Sequence, residues 1–89
     1  MIETKITIIN KLGLHARAAS KFVTTAAAFG SKVEVGKGDS LVDGKSIMSV
    51  MLLAASQGTE LTLRISGDDE ERALQAISDL VNDFFGEGE

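Results

Sequence analysis

Glu60-Leu61-Thr62-Leu63-Arg64-Ile65-Ser66 alternates apolar and polar side chains without a break, so Leu61, Leu63 and Ile65 share one face. Period two marks a strand with one buried and one solvated side. Strands of this kind build antiparallel sheets, which leave one face to water, whereas parallel sheets bury both. The stretch therefore points to one layer of sheet beneath one layer of helices. After Gly67, the acidic run Asp68-Asp69-Glu70-Glu71 suits a first helical turn, where carboxylates meet the positive end of the helix dipole. Ala73, Leu74, Ile77, Leu80, Val81 and Phe84 then recur at helical spacing until Gly86 ends the pattern, and Glu87-Gly88-Glu89 reads as a frayed tail.

Upstream of this pair, Ser46 is a residue type preferred at helix N-caps, and the apolar run that follows it predicts a helix ending near Gly58. That helix has almost no polar face. On so small a protein it buries one stripe, so Ile47, Met48, Met51 and Leu52 are expected to remain exposed and to form a partner-binding patch. Flexible thioethers adapt such a patch to more than one surface. Lys32-Val33-Glu34-Val35 and Ser40-Leu41-Val42-Asp43 read as short strands of a hairpin, with Gly36-Lys37-Gly38-Asp39 as the turn. Ala19, Phe22, Val23 and Ala26 predict a helix from just after His15 to about Phe29, closed by a left-handed Gly30. Ile2, Thr4, Ile6 and Ile8 alternate with polar residues in a first strand.

The order is strand, helix, strand, strand, helix, strand, helix, a βαββαβα chain of the α+β class. Its antiparallel sheet has three helices on one face. The pattern alone does not choose the order of the strands. At 89 residues the chain, 1–89, is expected to form a single domain. One histidine and no cysteine leave no basis for a zinc site or a disulfide, so no metal or cofactor is expected. The formal net charge of −4 and the presence of four Phe but neither Tyr nor Trp argue against a nucleic-acid binder, which needs basic surface and stacking platforms. No apolar run is long enough to span a membrane, and Met1-Ile2-Glu3-Thr4-Lys5 lacks the basic start of a signal peptide, so a soluble cytoplasmic protein is expected.

The chemistry is concentrated in Asn10-Lys11-Leu12-Gly13-Leu14-His15-Ala16-Arg17-Ala18-Ala19-Ser20-Lys21-Phe22, which contains the only imidazole. His15 falls where an extended segment passes into a helix, beside the unpaired backbone N–H groups near Ala16 and Arg17. A helix start attracts anions, and a guanidinium can grip phosphate oxygens through charge-assisted bonds. Lys11, Arg17, Lys21 and Lys45 are expected to give His15 a basic rim. A hydrolase pairing His15 with Ser46 or Ser49 would need an orienting acid and an oxyanion site, and no such motif is present.

Gly13-Leu14-His15-Ala16-Arg17-Ala18-Ala19 resembles the active-site motif of the HPr family, the phosphocarriers of the bacterial sugar phosphotransferase system. Gly44-Lys45-Ser46-Ile47-Met48-Ser49-Val50-Met51 resembles that family's second signature, and chain length and element order agree from end to end. Ala18 stands where many members have Pro, and Ser49 where Gly is common; neither change removes a reacting group. The resemblance implies an open-faced β-sandwich with strand order 1-4-2-3. It also implies a carrier rather than an enzyme, with a phosphoryl group accepted on Nδ1 of His15 from phosphorylated enzyme I and passed to enzyme IIA domains. Arg17 and the backbone N–H groups of Ala16 and Arg17 would stabilise the phosphate. Ser46 resembles the site modified in some members by an ATP-dependent HPr kinase/phosphorylase, although capping alone accounts for a serine there. A nitrogen-related or purely regulatory paralogue (NPr-like) is the near alternative. A monomer is expected.

Overall fold

The computed structural model describes residues 1–89. The elements run β1 (Ile2–Thr7), α1 (Ala16–Ala27), β2 (Lys32–Lys37), β3 (Ser40–Asp43), α2 (Ile47–Leu52), β4 (Glu60–Ser66) and α3 (Glu70–Asn82), followed by a short 3-10 turn at Phe84–Gly86. The four strands form one sheet in the order β1-β4-β2-β3. Every neighbouring pair is antiparallel. The register places Ile6 opposite Leu61 and Val35 opposite Leu63, so the alternating apolar residues of three strands meet on one face.

Onto that face α1 lays Ala18, Ala19, Phe22, Val23 and Ala26, while α3 contributes Ala73, Ile77 and Val81. The small alanines bring α1 close to the sheet, and Phe22, with Ile8, Leu61, Leu63, Ile65 and Ile77, fills the space between the layers. Thr62, on the opposite face, is covered by Lys5, whose ammonium donates to its hydroxyl at 3.1 Å. Long basic side chains lie along a sheet in this way while keeping their charge near water.

Several boundaries differ from the sequence expectation. The second helix stops at Leu52 rather than near Gly58. Its exposed apolar side gains nothing from packing, and the residues after it have other uses: Ala54 takes φ +49°, Ala55 carbonyl accepts from Leu14 N–H at 2.8 Å, and Gly58 N–H donates to Ile8 carbonyl at 2.7 Å. The first helix ends at Ala27 by tightening, with Phe29 N–H bonded to Ala26 carbonyl, and Gly30 is not left-handed. Gly36 and Lys37 lengthen β2, leaving Gly38-Asp39 as the turn.

The largest correction lies at the chain end. The third helix stops at Asn82, and Phe84 and Phe85 both adopt left-handed φ, +56° and +53°. The buried aromatic is Phe85, with no exposure, rather than Phe84. Two left-handed non-glycine residues together cost about 2–4 kcal/mol, and burying the Phe85 ring contributes about 1.5–3 kcal/mol, so the anchored ring offsets most of the cost of the turn. Residues 87–89 are not frayed. Lys11 N–H donates to the Glu89 carbonyl at 3.0 Å, which ties the tail to the loop before α1.

Candidate functional site

His15 is the N-cap of α1, with extended backbone at φ −71° and ψ 178°. Its Nδ1 accepts the N–H of Arg17 at 3.3 Å, so the ring itself satisfies one of the unpaired donors of the first turn. The loop that delivers it is fixed by close contact. Gly13 has φ +71°, and a Cβ there would lie 2.6 Å from the Ala55 carbonyl oxygen, so only glycine lets the loop approach the segment after α2. Leu14, the next residue, is buried and completes the anchor.

The other ring nitrogen, Nε2, meets the carboxylate of Glu87. Asn10, which is fully buried, donates its Nδ2 to Gly13 carbonyl at 2.7 Å and to Glu87 Oε1 at 2.9 Å. Burial pushes the Glu87 carboxyl up, but the Asn10 amide and the His15 ring together outweigh it and hold the group below the usual carboxylate range. Neither ring nitrogen bonds a serine, which removes the hydrolase arrangement from this geometry.

A cavity of about 780 Å³ opens on the ring, lined among others by Lys11, Arg17, Lys21 and Glu89. The Arg17 side chain is exposed and forms no ion pair. It is available to an incoming anion. Lys21 lines the same space and donates to the Phe85 carbonyl at 2.7 Å. Lys45 does not join the expected basic rim: its ammonium donates to the Phe29 carbonyl at 2.7 Å, since it leaves the turn before α2 toward the end of α1. No cluster of three or more His, Cys, Asp or Glu side chains stands ready for a metal ion. No helix is long and apolar enough to cross a membrane.

Ser46 caps α2 as expected, its hydroxyl accepting the Ser49 N–H at 3.3 Å. Beyond it Ile47, Met48, Met51 and Leu52 are exposed, Leu52 by 80%. Leu12, also exposed, lines a second hollow with His15, Met51 and Ala54, so the apolar surface runs up to the imidazole. The sequence reading missed Leu12 and Glu87. For Glu87 the one available signal was Phe84-Phe85, two aromatics too apolar for a loose chain end.

Comparison with known proteins gives consistent matches. Residues 2–83 match the family described as the PTS HPr component phosphorylation site. The chain is 56% identical over 89 residues, all of both chains, to a phosphocarrier protein HPr of Neisseria meningitidis serogroup A. Among solved structures, HPr-C-His from Thermoanaerobacter tengcongensis superposes with a TM-score of 0.93 at 49% identity, covering 98% of each chain. An HPr dimer from the same organism gives a TM-score of 0.77 at 49% identity, over 98% of this chain and 100% of that one.

Proposed function

From the premise that this chain belongs to the HPr family of phosphotransferase-system phosphocarriers, we propose that His15 accepts a phosphoryl group on Nδ1 from phosphorylated enzyme I and passes it to enzyme IIA domains. The observation that carries the reading is the position of His15 as the N-cap of α1, with Nδ1 turned to the N–H of Arg17 beside an open cavity. The lone pair on Nδ1 attacks phosphorus in line as the donor's bond to phosphorus breaks. The N–H groups of Ala16 and Arg17 and the Arg17 guanidinium then take the phosphate oxygens. Positioning and charge stabilisation are most of what phosphoryl transfer requires, and the donor and acceptor proteins contribute their share. Carrier work therefore suits a site so open to solvent.

The partners dock on Leu12, Ile47, Met48, Met51 and Leu52, which are exposed in the fold and of which Leu12 and Met51 line a hollow with His15. Ser46 lies at the edge of this patch, where a kinase could modify it as a regulatory site. The Neisseria relative bears the phosphocarrier name and the solved structures the HPr name, which favours a carrier over a nitrogen-related or purely regulatory paralogue. Residues 1–89 work as one domain, in the cytoplasm and as a monomer, since each partner must reach the same face. The dimer recorded for the Thermoanaerobacter protein is a property of that protein.

Incubation with enzyme I and phosphoenolpyruvate tests the reading. One acid-labile, base-stable phosphoryl group is expected on the parent protein and none on His15→Ala, whose fold should persist because the ring is not part of the core. A parent protein that stays unmodified while a known carrier is charged, or one labelled elsewhere than His15, overturns it.

A further inference from the structure

We propose that Glu87 is a positioning residue for phosphoryl transfer, its carboxylate holding the Nε2–H of His15 so that the ring keeps the tautomer whose Nδ1 carries the attacking lone pair. The inference deepens the carrier role proposed above and rests on it. A neutral imidazole has one proton for two nitrogens, and the tautomer protonated on Nδ1 has no lone pair there to attack phosphorus. The two nitrogens of His15 face unlike partners. Nδ1 meets the Arg17 N–H, which only donates, and Nε2 meets an ionised carboxylate, which only accepts. Only the Nε2–H tautomer satisfies both.

Glu87 is itself held in place from several sides. The Asn10 amide donates to Gly13 carbonyl and to Glu87 Oε1, while its own buried Oδ1 has no partner. Its bond to the Gly13 carbonyl ties this buried amide to the loop before α1, and so holds Glu87 to that loop. Flanking backbone is pinned by Lys21 Nζ on the Phe85 carbonyl and by the Lys11 N–H on the Glu89 carbonyl. Two consecutive left-handed residues, Phe84 and Phe85, turn the chain from α3 back to the imidazole. Strain of this kind persists where its surroundings over-determine it, and it is concentrated at functional sites. The remaining charged groups facing the pair are Lys11, Arg17, Lys21 and Glu89.

In the transfer step the Nδ1 lone pair forms the new N–P bond, and the electron pair of the donor's bond to phosphorus stays with the donor. The Nε2 proton remains on the ring. As the bond forms, the imidazole becomes positively charged, and the Glu87 carboxylate lies against that charge. Handing the group on reverses the flow, with the N–P electron pair returning to Nδ1. Because Glu87 touches Nε2, on the side away from phosphorus, it leaves the Arg17 N–H and guanidinium free for the phosphate oxygens.

Glu87→Gln tests this with little change of shape. Its Oε1 still accepts from Asn10, so its NH₂ group faces Nε2 as a donor and selects the opposite tautomer. Ring ¹⁵N shifts of His15 and the rate of charging by phosphorylated enzyme I are to be measured on parent and variant, with melting temperature as a check on folding. The expected result is a gain of the Nδ1–H tautomer and a fall of ~10-fold or more in rate. That is smaller than the ~10⁴-fold loss when the buried carboxylate of a serine-protease triad becomes an amide, because this pair is partly open to water. Glu87→Asp should recover part of the rate. A parent protein that is charged while Glu87→Gln keeps both its rate and its ring tautomer overturns the role of Glu87 alone. A parent protein that is not charged at all overturns the carrier reading and this role with it.

Discussion

At the scale of single residues, the site divides its work between the backbone and two side chains of opposite sign. The Arg17 N–H is aimed at Nδ1 by the helix, whereas its guanidinium reaches into solvent without an ion pair. Removing that side chain should therefore leave the fold alone and act on the phosphate. Arg17→Ala is expected to slow charging and to change the lifetime of the phosphohistidine, both read from timed labelling. Arg17→Lys should recover only part, because lysine keeps the charge but loses the two-pronged grip. Equal rates in all three proteins would assign the whole effect to the helix end. Ala18, where a proline is common in the family, is buried within the first turn of α1, where a backbone N–H has no intrahelical acceptor, so alanine in place of proline breaks no helical bond and leaves His15 as the cap.

Among the elements, α2 stands apart because six residues of helix carry four exposed large apolar side chains. Its cap is Ser46, which lies at the rim of the apolar surface rather than in the cavity. An acidic group at a helix start meets the positive end of the dipole, so Ser46→Asp should keep or raise the melting temperature. The same charge beside an apolar docking face repels acidic surface and is costly to desolvate against apolar surface. Charging of His15 by enzyme I is accordingly expected to slow. If thermal melts are preserved and the rate equals that of the parent, Ser46 is a cap and nothing more.

Over the whole molecule, the start of α3 is fastened to the start of β2 by one carboxylate. Asp69 accepts from Gly30 N–H and Ser31 N–H, each at 3.0 Å, and from the Ser31 hydroxyl. The Ser31 hydroxyl, then the Gly30 N–H, hold its carboxyl below the usual range. A carboxyl lowered on folding contributes stability above its unfolded pKa, and that contribution is lost as pH falls through the folded value. Asp69→Asn should therefore melt below the parent at neutral pH, with the gap closing as pH drops below about 4, the ordinary aspartate value. Melting curves from neutral to strongly acidic pH check this. A gap that stays constant over that range would show that the bonds do not depend on the charge.

The sequence by itself determined the layers of this protein, because one-sided strands have a period that only an antiparallel sheet with a single covered face satisfies. Glu60–Ser66 and the stripes of α1 and α3 were legible for that reason, as were His15 at a helix start and the exposed side chains of α2. Only the tertiary structure decided what depends on segments far apart in the chain. The second helix is cut short because Ala55 and Gly58 bond to Leu14 and Ile8, contacts that local propensity does not register. Lys45 leaves the basic rim for the same kind of reason, drawn to a carbonyl at the end of α1. Glu87 is the clearest instance. Nothing near it in sequence marks it beyond the apolar Phe84-Phe85 pair, and it reaches His15 only because Phe85 is buried in the core and turns the last residues back across the molecule. Periodicity is a local property and can be read from one segment, whereas a hydrogen bond between residues 15 and 87 exists only once both ends have been packed.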